Sequence, residues 1–244
     1  MKMITAITVL FFQIFCASCS NDSDVVAVQK PVMQVPVVTP AVSYKYLALG
    51  DSYTIGESVC ESCRFPEQLK TQLQSSIANS AINLKIIART GWTTTNLKAA
   101  IISENPTSDY DLVTLLIGVN NQYQSKPFSL YEQEFPELAN KAIALAKGDK
   151  SRVIVVSIPD YAYTRFGQST PSPSAISLQI DQYNLFAKNY CIQNNIEFVD
   201  ITDITREGLN QPLLVATDGL HPSELAYSRF VERLLPKAKA VLIR

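Results

Sequence analysis

Short apolar runs alternate with longer amphipathic stretches along most of this chain. The runs cover residues 44–49, 83–88, 111–117, 152–158 and 197–199. Within them, segments such as LVTLLI and VIVV are apolar at consecutive positions, the pattern of strands covered on both faces in a parallel sheet. Between the runs, apolar residues return every three or four positions. Ile176, Ile180, Tyr183, Ala187 and Tyr190 mark one such helical face, and Tyr227, Phe230, Leu234, Ala238 and Val241 mark another. The alternation predicts an α/β fold with helices on both faces of a parallel sheet of about five strands, a three-layer sandwich.

The first residues break this pattern. A short positive start at Lys2 leads into an apolar stretch from position 4 to 17, too short to span a bilayer and of the length of a secretory signal. It closes on Cys16-Ala17-Ser18-Cys19, which resembles the bacterial lipoprotein signal, although Cys16 stands where that pattern prefers leucine. The resemblance implies export and lipidation of Cys19, with residues 1–18 removed. A plain cleaved signal is the alternative. Residues 19–43 hold Pro31, Pro36 and Pro40 without a periodic apolar face and read as a tether, so 44–244 is expected to be one domain anchored to the cell envelope.

Charge and composition narrow the function. With 21 basic and 22 acidic residues and no basic cluster, the chain offers no electrostatic grip on nucleic acid. It has a single histidine, His221, so the usual multi-histidine zinc hydrolase site is not available and no metal or other cofactor is expected. In an exported protein the spacing of Cys60 and Cys63 can close a small disulfide loop; Cys191 falls in a helical pattern and reads as a small core residue.

Ligands of parallel α/β sheets bind beyond the carboxyl ends of the strands, so the residues that follow each run carry the chemistry. These are Gly50-Asp51-Ser52, then Arg89-Thr90-Gly91-Trp92, then Gly118-Val119-Asn120-Asn121, and near the end Asp218-Gly219-Leu220-His221-Pro222. A serine, the only histidine, an aspartate three residues before it, a glycine amide and an asparagine amide make an acyl-transfer site. In this assignment Ser52 is the nucleophile, His221 its base, and Asp218 the residue that fixes the imidazole. A tight turn through Gly219 brings Asp218 and His221 together. Pro222 and Glu224 suit the first and third positions of a helix, which places His221 at a helix N-terminus. Gly50 eases the turn before Ser52, and Asp51 braces it.

The same four segments resemble the four blocks of the SGNH, or GDSL, hydrolases, in the family's order, over residues 44–244. The resemblance implies a flavodoxin-like fold, a Ser52-His221-Asp218 triad, and an oxyanion hole from the Ser52 and Gly91 backbone amides with the Asn120 side chain. The third block of the family usually reads Gly-x-Asn-Asp; here Asn121 stands where the aspartate is expected. A Gly-x-Ser-x-Gly elbow is absent around Ser52.

These features predict an esterase acting on short acyl esters, such as O-acetyl groups of a glycan, because no long apolar segment forms a lipid tunnel. Lysophospholipid or thioester cleavage, acyl transfer to a sugar hydroxyl, and non-catalytic glycan binding are the alternatives. Trp92 either walls the pocket or packs in the core, and the Tyr-, Ser- and Pro-rich loop 159–173 is expected to overhang the site.

Overall fold

The computed structural model describes residues 42–244. The expected signal peptide, Cys19 and most of the expected tether lie outside the described residues. The tether's expected end does not: Val42 and Ser43 already belong to the first strand, pairing with Ser80 and Ala81.

Five parallel strands form the sheet: β1 (Val42–Gly50), β2 (Ser80–Ala88), β3 (Leu112–Leu116), β4 (Val153–Val156) and β5 (Glu197–Val199). Their order is β2-β1-β3-β4-β5, the doubly wound arrangement whose switch point lies between β1 and β3. Five strands were expected and five form. The edge strand β2 starts three residues earlier than its apolar run, because Ser80, Ala81 and Ile82 complete the ladder opposite Val42, Ser43 and Tyr44.

Nine α-helices connect and cover the described sheet: α1 (Ser52–Ile55), α2 (Phe65–Ser76), α3 (Thr94–Glu104), α4 (Val119–Tyr123), α5 (Phe128–Leu145), α6 (Arg165–Gln168), α7 (Pro173–Asn194), α8 (Thr202–Arg206) and α9 (Glu224–Leu242). On one side α2 packs against α9; α5 packs against both α3 and α7. Every residue of β3 and β4 is buried, as consecutive apolar positions require. All five apolar positions expected on the last helix are buried in α9, and burying each large side chain there contributes about 1.5–3 kcal/mol. On α7 the buried face runs Ile176, Ile180, Tyr183, Ala187 and Cys191, whereas Tyr190 is only half-buried, with its ring edge against Phe135.

The start of α9 corrects the sequence reading. Pro222 is not its first helical residue; it bridges to Val215, and Ser223 caps the helix by accepting the Ala226 N–H. His221 therefore stands two residues ahead of the cap instead of at the helix end. Among the described residues no helix is long and apolar enough to cross a membrane.

Candidate active site

Ser52, Gly91 and Asn120 each follow a strand, Asp218 and His221 lie in the turn before α9, and all of them but Asp218, which stands behind His221, line one open cavity of about 210 Å³. Its walls include Ser52, Gly91, Asn120 and His221. Ser52 opens α1, directly after β1. Asp51 caps that turn by accepting the Tyr53 N–H at 3.1 Å, which is the bracing role expected of it. Gly50 has a different reason from the one its sequence suggested. Its backbone is not in a left-handed conformation; a Cβ there would clash with Thr54 Oγ1 and the Leu116 carbonyl, so only glycine lets the turn that carries Ser52 lie this close to β3.

Asp51 is fully buried. Burial pushes its carboxyl up from 3.8 to about 7, against the opposing donation of the Tyr53 amide. The folded protein thus holds a proton that the unfolded chain releases above about pH 4. The stability this group contributes is complete below pH 3.8 and is lost as pH rises to about 7. Asp51→Asn keeps the acceptor for Tyr53, so its melting temperature relative to wild type is expected to rise steadily from pH 4 to pH 8. A pH-independent difference between the two would contradict a buried, protonated Asp51.

Gly91 follows β2 with φ +83, a left-handed conformation that favours glycine although no neighbour crowds it. Asn120 lies in the first turn of α4, and its Nδ2 donates to the Trp92 carbonyl at 3.0 Å, leaving the second amide hydrogen for the cavity. Among the described residues, neither the Ser52 N–H nor the Gly91 N–H meets an acceptor. Three donors without full partners therefore surround the serine. Trp92 itself is half-buried against the core and does not line the cavity, which resolves its two sequence readings.

Asp218 and His221 meet as the turn through Gly219 requires: His221 Nδ1 donates to Asp218 Oδ2 at 2.6 Å. The Leu220 and His221 N–H groups donate to Oδ1 at 2.9 and 3.0 Å, and Ser58 Oγ donates to Oδ2 at 2.7 Å. Burial raises the Asp218 carboxyl, but these donors, led by His221, outweigh it and hold the group down at about 2. Ser52 Oγ and His221 face the same cavity without a direct hydrogen bond among the described residues, as is common before substrate binds.

The departure at Asn121 has a structural cause. Asn121 is fully buried; its Oδ1 accepts the Thr94 N–H at 2.9 Å while its Nδ2 donates to Thr94 Oγ1 at 2.7 Å. Thr94 has already committed its hydroxyl hydrogen to Glu134 Oε2 at 2.5 Å, a carboxylate that Thr95 and Lys98 also reach. At neutral pH the amide at 121 supplies a donor that a carboxylate there could not. Asn121→Asp is expected to cost about 2 kcal/mol at pH 7 in denaturant unfolding, with the loss shrinking near pH 4, where the acid itself can donate. A loss that is equal at both pH values would rule out this arrangement.

The rim was only partly legible. Loop 159–173 does overhang the cavity, contributing Tyr161 and Phe166. It is anchored by buried Asp160, which accepts from Ser177, Arg206 and the Ala162 N–H. Tyr53 was not anticipated: its ring packs edge-on against His221, 5.8 Å between centroids. Nor were Tyr123 on the wall and Ser58 behind Asp218, which lie in loops and short helices without an apolar period. Cys60 and Cys63 form the disulfide that their spacing allowed, and Cys191 is buried as expected. No group of three or more metal-ligating side chains gathers among the described residues.

Comparison with known proteins follows the same lines. The family described as GDSL-like Lipase/Acylhydrolase matches residues 48–229. Among solved structures, the fold is similar to a lipolytic G-D-S-L family protein from Veillonella parvula DSM 2008, at 22% identity, with TM-score 0.60 over 84% of this chain and 100% of that one. It is also similar to a variant of an acetyl xylan esterase from Geobacillus stearothermophilus, at 21% identity and TM-score 0.60 over 80% of this chain and 94% of the other. A lipase/acylhydrolase from Enterococcus faecalis is 18% identical, with TM-score 0.60 over 81% and 96% of the respective chains. No curated protein matches the sequence.

Proposed function

This chain belongs to the GDSL-like lipase/acylhydrolase family of ester-bond hydrolases, and from that premise we propose that it is a serine esterase cleaving short acyl groups, such as O-acetyl, from glycans. Ser52 Oγ attacks the ester carbonyl while its proton passes to His221. Asp218 holds the ring by its Nδ1–H and stabilises the imidazolium that results. The oxyanion forms against the Ser52 and Gly91 N–H groups and Asn120 Nδ2. His221 returns the proton to the departing alcohol, and water then attacks the acyl-serine by the reverse steps.

The observation that carries this reading is the convergence of one serine, one carboxylate-held imidazole and three donors with hydrogens to spare on a single cavity. At about 210 Å³ it is smaller than the roughly 300 Å³ at which pockets for drug-sized ligands begin, which favours a short acyl group over a fatty chain. Tyr123, Tyr161 and Phe166 pack against one another as an aromatic wall of this cavity, a surface suited to a sugar ring. The acetyl xylan esterase among the structural relatives points to the same substrate class. Hydrolysis of p-nitrophenyl acetate, butyrate and octanoate, beside acetate release from an acetylated xylan, tests the proposal. Acetyl esters are expected to react fastest; a preference for octanoate would move the substrate to lipids.

A further inference from the structure

We infer that residues 57–63 form a disulfide-closed strap that ties the catalytic acid to the nucleophile's own turn, with Ser58 as a positioning residue for Asp218; the inference rests on the triad proposed above. Of the four donors that hold the Asp218 carboxylate, three come from its own turn: the Leu220 N–H, the His221 N–H and His221 Nδ1. Those three move with the turn and cannot fix its place relative to Ser52. The fourth, Ser58 Oγ, arrives from 160 residues away and meets Oδ2, the same oxygen that orients the imidazole.

The other end of the strap is held by the nucleophile. The N–H groups of Gly56 and Glu57 both donate to the Ser52 carbonyl at 3.0 Å. A chain of hydrogen bonds therefore runs from Ser52 through the strap to Asp218 and on to His221, which faces Ser52 across the cavity. Glu57 extends it to the oxyanion side, since its carboxylate accepts from the hydroxyl of Thr90, which lines the cavity beside Gly91. The strap thus touches the nucleophile's turn, the acid and the oxyanion loop.

Locally, only the Val59 N–H donation to the Gly56 carbonyl at 3.3 Å supports the turn in which Ser58 sits. Ser58 is exposed, so no burial fixes it, and its φ of +66 is left-handed, a conformation unfavourable for serine. The Cys60–Cys63 disulfide closes the chain two residues later, and Arg64 Nη1 reaches back to the Ile55 carbonyl at 3.4 Å. These braces limit how far the segment relaxes, and so keep the Ser58 hydroxyl on the carboxylate.

Ser58→Ala removes the hydroxyl at an exposed position and leaves no cavity. With p-nitrophenyl acetate it is expected to lower kcat about tenfold with KM unchanged within about twofold, since the bond acts on geometry and not on substrate. A Cys60→Ser/Cys63→Ser variant loses activity in the same sense, and combining it with Ser58→Ala adds no further loss. A second readout does not depend on turnover: the chain has one histidine, so the His221 Nδ1–H proton resonance is unambiguous. It should be sharp in wild type and broadened by solvent exchange in Ser58→Ala. Wild-type kcat with a sharp resonance in Ser58→Ala overturns the inference, as does a disulfide loss that adds fully to that of Ser58→Ala. If wild type shows no Ser52-dependent hydrolysis, the esterase proposal fails, and the resonance alone decides the strap.

Discussion

Replacing Ser52 by alanine is expected to reduce kcat for p-nitrophenyl acetate by on the order of 10⁴-fold or more, because the acyl-enzyme can no longer form. The site remains otherwise intact in that variant: the Asp218–His221 pair at 2.6 Å does not involve the serine, and the donors around the cavity stay where they are. What residual rate survives comes from those donors and from binding. His221→Ala should fall by a similar factor, since a serine hydroxyl without a base is a poor nucleophile near neutral pH. The double variant should fall no further, because the two residues act on one proton transfer and their losses do not add. Steady-state rates of the three variants at one pH give the comparison. Additive losses would mean that the two residues serve separate steps.

The second large effect is expected at Asn120. Its side chain has two amide hydrogens; one is committed to the Trp92 carbonyl at 3.0 Å, and the other is, in the proposed mechanism, the side-chain donor to the oxyanion. Asn120→Ala should lower kcat on the order of a hundredfold, the usual penalty for losing one such donor, while KM changes little. The split matters because the ground-state carbonyl oxygen does not yet carry the charge that the amide stabilises. Losing the bond to Trp92 also loosens the loop that carries Gly91, so the melting temperature of the variant should be measured beside its rate. A rate at the wild-type level would remove Asn120 from the chemistry and leave it as the anchor of Trp92.

The parts that were readable in advance share a physical property: their signal is local. Strands buried on both faces must be apolar at every position, so β3 and β4 are visible as LVTLL and VIVV. Asp218 and His221 are three residues apart, and one turn is enough to bring them into contact. Ser52, Gly91 and Asn120 each follow a strand whose end the sheet places beside the others. Where competition between neighbours decides, the sequence was less informative. Pro222 and Ser223 both suit a helix start, and Ser223 prevails because its hydroxyl satisfies the Ala226 N–H, which shifts His221 off the helix end. The first residues of β2 show no apolar run because Ser80 and Ala81 are held by the ladder to β1 and not by burial. Ser58 lay beyond sequence reasoning altogether. Its partner is 160 residues distant, and no periodicity marks an exposed loop serine that reaches a carboxylate. Asn121 departs from the family pattern for a reason no local signal carries: Glu134 holds the hydrogen of Thr94, so at neutral pH the partner at 121 has to donate.

The central claim is that Ser52 is a nucleophile activated by His221. Incubating the protein with a fluorophosphonate and mapping the modified peptide by mass spectrometry tests it most directly. The account predicts a single adduct on the peptide that contains Ser52, formed rapidly in wild type and far more slowly in His221→Ala. An adduct on another serine, or labelling of Ser52 at the same rate without His221, would contradict it.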